Sequence, residues 1–523
     1  MLFKKSSPLF SGLPINEILL LTPLAFVLLF STVRGQEFQL PEGLSFSNQI
    51  KYSYDMSKKL EITEDWFNLD FRSGIFSAGF RFDTFQPNDP SSAVNRGKKR
   101  FADFGFKYIK AEIGDRNTGG EFTVGNYYAL FGRGLTLKSF EDRNVRIDNN
   151  LLGVKFLGRY SDFVITALSG MPENLDLSRT DILHAVDLEY RGLRFLKMGV
   201  SYLSNQPQND QLARTSLASV RFQPSFYNFD IYTEFAVKQN EDIKENVFQG
   251  NEFIAGKGFY SNLSFYYGNF SILGEYKIYD NFAFTSSDGT VNYNTPPATR
   301  RDYTYSLLNK HPSALDANNE EGGQVEINYN FWDFTFLTTS FSLTKTLPRS
   351  SYYQRIQKTT NEPVNQLKEF YSQLNHQLTN SIYTTLAFGY SEELTSSTKN
   401  FTPILDVRYS LNDRNTIRLI YEHQQTNVSI TGEDYYNQAL TLEFLHSPDL
   451  VLSFNGTMET KEPTPGRKVR KTWKFLQLSY KLGNHSDIIL LYGSRQAGNI
   501  CVGGVCRYEP EFNGLELKMY TRF

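Results

Sequence analysis

The chain has 523 residues, with 54 Lys+Arg against 56 Asp+Glu and a formal net charge of -2, so no basic excess advertises a nucleic-acid partner. Mean hydropathy is -0.41, and past the N-terminus no run reaches the roughly 20 apolar residues that a membrane-spanning helix needs. Aromatic residues nevertheless make up 15%, with 44 Phe and 32 Tyr against 3 Trp. A soluble β-sandwich leaves so much Phe and Tyr without a reason, whereas strands with one face to lipid and one to water account for it.

The first element is a targeting segment. Lys4 and Lys5 form a positive n-region, the stretch from Ile18 to Phe30 is apolar apart from Thr22 and Pro23, and Val33-Arg34-Gly35 ends in a small residue before Gln36. Residues 1–35 therefore read as a signal peptide and 36–523 as one β-barrel domain, the apolar stretch being short and broken for an uncleaved anchor. Export also brings the only two cysteines, Cys501 and Cys506, into an oxidising compartment.

From there the chain alternates with period two. Leu44, Phe46, Ile50, Tyr52 and Tyr54 alternate with Ser45, Ser47, Gln49, Lys51 and Ser53. Such a period sends the two sets to opposite faces of a strand. The same reading sets Phe229, Ile231, Phe235 and Val237 against Asp230 and Glu234. It sets Val325, Ile327, Tyr329 and Phe331 against Glu326, Asn328 and Asn330, and Leu405, Val407, Tyr409 and Leu411 against Asp406, Arg408 and Ser410. Glu275, Glu326 and Arg408 are thereby expected on the lumen side, Ile327 and Val407 on the lipid side. No helical period competes. The basic stretch 87–100, with Arg96, Lys98, Lys99 and Arg100, reads as a solvated outer loop.

The rhythm breaks at 125–156, GNYYALFGRGLTLKSFEDRNVRIDNNLLGVKF. Gly132-Arg133-Gly134 permits a sharp bend, and Arg133, Glu141, Asp142, Arg143, Arg146 and Asp148 add mixed charge. One reading is a loop folded into the lumen. There Arg133, Arg143 and Arg146 face Glu141, Asp142 and Asp148 across a constriction and their transverse field sorts solutes. The other is an ordinary outer loop with paired surface charges.

The links between strands alternate in length. Gly268-Asn269, Trp332-Asp333, 412–415, 447–449 and 483–487 read as short, while 239–255, 281–321, 392–400, 425–436 and 461–470 read as long. Short periplasmic turns and long outer loops produce this alternation, and counting predicts about 24 strands (range about 20–26), about five before Asn150 and about 19 after it. The fold class is thus all-β: a large antiparallel transmembrane barrel in the outer membrane of a Gram-negative-type cell. With strands beginning near Leu44, no room remains for a globular plug domain ahead of the barrel. Phe523, after alternating Leu515, Leu517 and Met519, is expected to act as the signal read by the barrel-assembly machinery.

Enzyme signatures are lacking: there is no HExxH, GxxxxGK[ST], GxSxG or Cys/His zinc spacing. No catalytic residue, metal or cofactor is expected. His423 falls in register with the lipid-facing Ile417, Leu419 and Tyr421, where an outer-membrane lipase would keep its histidine. No matching Ser accompanies it, so an interfacial His is the reading. In Cys501-Val502-Gly503-Gly504-Val505-Cys506 the Gly-Gly pair suits a two-residue hairpin, which makes the cysteines cross-strand neighbours and predicts a disulfide.

The segment 125–156 and the C-terminal CVGGVCRYEPEFNGLELKMYTRF together resemble an uncharacterised, domain-of-unknown-function outer-membrane β-barrel family of Bacteroidota-type bacteria. The resemblance implies fold and location and carries no activity. A barrel of this size is too wide for side chains to fill. The expected function is therefore a porin-like channel or substrate-selective transport barrel, with outer-membrane lipid, the assembly machinery and small solutes as partners. The alternative is a non-conducting structural or docking barrel of an envelope complex. The long stretch 281–321 is placed to fold inward or to cap the mouth.

Overall fold

The computed structural model describes residues 40–85, 102–143, 147–174, 178–209, 214–240, 254–310, 314–358, 362–462, 471–502 and 505–523. The expected signal peptide, the basic stretch 87–100 and Arg146 lie outside the described residues.

Among the described residues twenty-four strands form one sheet, each pairing antiparallel with its neighbours. The first, Leu44–Asp55, pairs with Leu60–Ser73 on one side and with the last, Phe512–Arg522, on the other, which closes the sheet into a barrel. Five barrel strands precede Asn150 and nineteen follow it, as the alternation predicts.

The two faces differ as the period-two pattern requires. In Thr215–Phe226, Leu217, Ser219 and Arg221 are buried while Ala218 and Phe222 are exposed. In Thr398–Ser410, Thr398, Asn400, Thr402, Ile404 and Asp406 are buried while Phe401 and Leu405 are exposed. The exposed set is apolar because it meets hydrocarbon. The buried set is largely polar because it lines the interior. Closure leaves no sheet edge with unpaired backbone groups, which is what lets strands stand in a bilayer. The molecule is therefore an outer-membrane β-barrel.

Connections on one rim are short: 161–162, 194–195, 227–228, 268–269 and 333–334 are two residues each. Left-handed φ at Ser161, Tyr227, Gly268 and Phe334 lets the chain reverse there. Aromatic side chains crowd this rim. Phe226 packs on Phe229 and Phe229 on Phe265, Phe270 on Tyr329, and Phe331 on Trp332. Such rings form the girdle that anchors a barrel at the membrane–water boundary. Both end strands reach this rim, where Phe523 exchanges backbone hydrogen bonds with Phe46 and its ring stacks on His485 at 4.4 Å.

The opposite rim carries the long connections, with two departures from the sequence reading. The links read as long at 392–400 and 425–436 are four residues each, 394–397 and 429–432. The strands continue above the apolar band with polar side chains on both faces, as where Asn427 donates to Asp434. The hydrophobic alternation stops at the edge of the lipid, but the backbone ladder does not.

Candidate functional site: a loop-filled lumen

Two outer loops turn back into the barrel. Loop 128–150 leaves the strand Thr118–Tyr127, and loop 281–318 leaves Phe270–Asp280. Phe131, Leu135, Leu137, Phe282, Phe284 and Tyr293 of these loops are almost completely buried. They pack on Leu151, Leu183, Leu203 and Leu217, wall residues that are themselves fully buried. The lumen thus contains a small apolar core, the kind of packing that holds a folded insert in place rather than a solvated strap.

Glycine makes the close approach possible. Gly132 has φ 54° and a Cβ there would lie 2.5 Å from the Glu234 carboxylate, while Gly134 has φ 87° and a Cβ 2.8 Å from the Thr295 carbonyl. Asparagines stitch the two loops. Asn149 donates to the carbonyls of Lys138 and Asn292, and Asn294 donates to those of Leu135 and Phe282.

Wall carboxylates pin the loops from below and beside. Glu234 accepts from the Arg133 amide at 3.0 Å, from Tyr232 Oη at 2.6 Å and from Ser219 Oγ at 3.1 Å. Asp181 accepts from the Ser287 amide, Ser287 Oγ and Tyr293 Oη. Loop 281–318 then crosses to the far wall. Arg301 pairs with Glu326 at 2.6 Å, and Tyr305 Oη donates to Asp406. Glu422 accepts from the amides of Ser306 and Leu307, and Lys310 pairs with Glu459 at 2.6 Å. Tyr305 also packs with Tyr371, Ala387 and Ile404, a second apolar contact on that wall. The loop is a strap spanning the lumen, attached at both ends and along its length. A third outer loop tucks its one-turn helix Tyr352–Ile356 onto Asp280, which accepts from the amides of Tyr352 and Tyr353.

The charged residues singled out in the sequence are placed as follows. Glu141 and Asp148 are directly opposed in a short antiparallel pairing. Arg81, on the wall strand Phe76–Phe85, bridges both, at 2.8 Å and 3.4 Å. Arg143 pairs with Glu141 at 3.0 Å, donates to Gln49 and lies over the Trp66 ring. Asp142 lines a cavity of about 410 Å³ with Gln49, Arg143, Tyr520, Thr521 and Arg522. The expected division into a positive and a negative wall is not the arrangement found: the acidic residues share a wall arginine, and Arg143 sits beside Glu141. Arg133 stands apart, exposed to the lumen, with its guanidinium over the Tyr232 ring at 5.2 Å. Arg81 itself was missed by the sequence reading, because in a period-two strand it looks like any lumen-side residue.

A larger cavity of about 580 Å³ opens beneath the loop tips. It is lined by Arg133, Lys138, Pro296 and Pro297 from the loops and by Asp187, Glu189, Lys197, Arg221 and Tyr232 from the wall. Arg221 holds Asp187 in a two-point contact, 2.6 and 2.9 Å, and reaches Glu189 at 3.1 Å. The cross-strand partner of Arg221 is Gly199, whose missing Cβ leaves room for the guanidinium to lie flat.

On the lipid side, the His423 ring packs at a tilt on Tyr436, 5.3 Å between centroids, and meets Gln438 at 3.3 Å. His184 lies in a shallow lipid-facing groove, paired in the ladder with Ser169 and Ser204. No hydrogen bond joins it to either among the described residues. Cys501 and Cys506 are direct partners in the hairpin Gly498–Val502 and Val505–Glu509. Their side chains, and with them the expected disulfide, lie outside the described residues.

These features define a class: a 24-stranded outer-membrane barrel whose lumen is occupied by its own loops. The chain belongs to a family of unknown function, DUF6029, which matches residues 18–523. None of the curated proteins compared with the chain matches it. Among solved structures it is similar to the translocation pore of the P pilus usher PapC, at 10% identity and a TM-score of 0.47, over 92% of this chain and 99% of that one. It is also similar to OccK11 (OpdR) of Pseudomonas aeruginosa, at 13% identity and a TM-score of 0.36, over 75% and 100%. A third is the siderophore receptor PirA of Pseudomonas aeruginosa, at 9% identity and a TM-score of 0.42, over 93% and 81%.

Proposed function

We propose that this protein is a substrate-selective passage for small solutes across the outer membrane, narrowed by its own inward-folded loops. The observation that carries this reading is the strap 281–318, fixed to one wall at Asp181 and to the other at Glu422 and Glu459. A wall of 24 strands encloses more space than side chains fill, and the loops reduce it to cavities of solute size. A barrel serving only as a scaffold needs no fitted apolar core inside its lumen, nor a charged cavity beneath it.

Planar-bilayer recording of the purified protein tests the reading. The wild type is expected to conduct in small unitary steps. Cutting the strap back to a short Gly-Ser link between residues 283 and 316 should raise conductance several-fold. No current from either form, with folding verified, would leave the scaffold reading in its place.

A further inference from the structure

The cavity beneath the loops carries an excess of positive charge, four cations against two carboxylates. Six charged side chains line it, namely Arg133, Lys138, Lys197, Arg221, Asp187 and Glu189. Asp187 and Glu189 are both engaged by Arg221. The other three cations have no ion pair among the described residues. The guanidinium of Arg133 lies over Tyr232 and the ammonium of Lys138 over Phe140, at 5.2 and 5.0 Å, and neither ring supplies a formal charge. Lys197 is lumen-facing by register, in phase with the buried Gly199, Ser201 and Leu203. Burial alone pushes the Lys138 ammonium below its ordinary value, with no nearby acid to offset it.

The geometry points to this cavity as a binding site for a small organic anion with two negative groups, such as a dicarboxylate. Three cations held around a pocket of about 580 Å³ suit two acidic groups at the ends of a short body. Tyr232, Pro296 and Pro297 offer flat apolar surface to the body between them. Arg221, already saturated by Asp187 and Glu189, fixes the wall and leaves recognition to Arg133, Lys138 and Lys197. This assignment rests on the reading of the barrel as a solute passage, and its test separates the two.

The three cations can be removed without disturbing the loop anchors. Arg133 pins the loop through its backbone amide on Glu234, and Lys138 contacts Tyr293 and Asn149 through its backbone. The variant Arg133→Gln, Lys138→Gln, Lys197→Gln is therefore expected to fold, as checked by heat-modifiability. Calorimetric titration of the detergent-solubilised full-length protein with succinate, and with neutral succinamide, reads the site without requiring conduction. Succinate should bind and succinamide should not, and the triple variant should bind succinate at least about tenfold more weakly. Equal binding of succinamide, no succinate binding to folded wild type, or unchanged affinity in the variant overturns the assignment. A barrel that binds succinate but passes no current in bilayers refutes the passage and keeps the site. One that conducts without binding succinate refutes the site and keeps the passage.

Discussion

The carboxylate of Glu422, on the barrel wall, accepts the backbone amide of Leu307, on the strap, at 2.8 Å. The same carboxylate takes the amide and hydroxyl of Ser306, and the neighbouring Gln424 donates to the Leu307 carbonyl. Glu422→Ala should leave these donors unpaired, at about 1–3 kcal/mol for each one that stays buried. The strap relaxes rather than the barrel, so heat-modifiability should be unchanged while single-channel conductance rises. A variant indistinguishable from wild type in conductance would mean that the strap is held without this contact.

Gly132 sits at φ 54° with the Glu234 carboxylate 2.5 Å from where a Cβ would be. Gly132→Val adds a clash to a backbone conformation that β-branched residues avoid, at a local cost of about 1–3 kcal/mol. The tip of loop 128–150 should lift from the wall. Limited trypsin digestion of folded protein is expected to cut after Arg133 or Lys138 in the variant and spare both in the wild type.

Substitutions on the two faces of one strand should separate. Ile327→Arg and Val407→Arg introduce a charge to lipid, at about 2–4 kcal/mol near the bilayer midplane. Arg408→Gln and Glu326→Gln alter only the lumen side, although the second also frees Arg301. Semi-native gels should show lower melting temperatures for the first pair alone.

Acid should loosen loop 128–150. Burial works against the charge of Glu141, but the guanidinium groups of Arg81 and Arg143 outweigh it and hold the carboxyl below its ordinary 4.5. A depressed carboxyl stabilises the folded loop above the unfolded value and loses that contribution as pH falls through the folded one. Conductance should therefore be flat from neutral pH down to the ordinary carboxyl range and change only below it. In Arg81→Met the change should begin at higher pH; an unshifted profile would remove Arg81 from this role.

Cys501 and Cys506 are opposed in register. Opposed residues of an antiparallel pair have Cα atoms about 4.5–5.5 Å apart, inside the roughly 4.4–6.8 Å that a disulfide spans. Peptide mapping without reductant of protein taken from outer membranes should recover the two as one linked fragment. Two alkylatable thiols would contradict it.

The barrel was legible because lipid and water impose opposite demands on alternate residues, and Val325, Ile327 and Tyr329 answer one while Gln324 and Glu326 answer the other. The inward fold of loop 128–150 left a local trace in Gly132 and Gly134, and that of the strap only in its length. The anchors left none, since Glu234 and Glu422 look like any lumen-side residue until loop 128–150 is seen to touch the first and the strap the second. One signal was present but unread. Leu183, Leu203 and Leu217 are apolar at lumen-phase positions, where a wet interior would favour polar residues. Apolar residues in both phases of adjacent strands mark the patch of wall that something inside must cover.

The strap also has a mechanical meaning. A closed ring of strands has no cross-member of its own. A member tied to Asp181 on one side and to Glu459 on the other acts as a tie-rod across the ring and holds its cross-section. Anything that displaces the strap at one wall therefore pulls on its anchors at the other, Glu422 and Glu459.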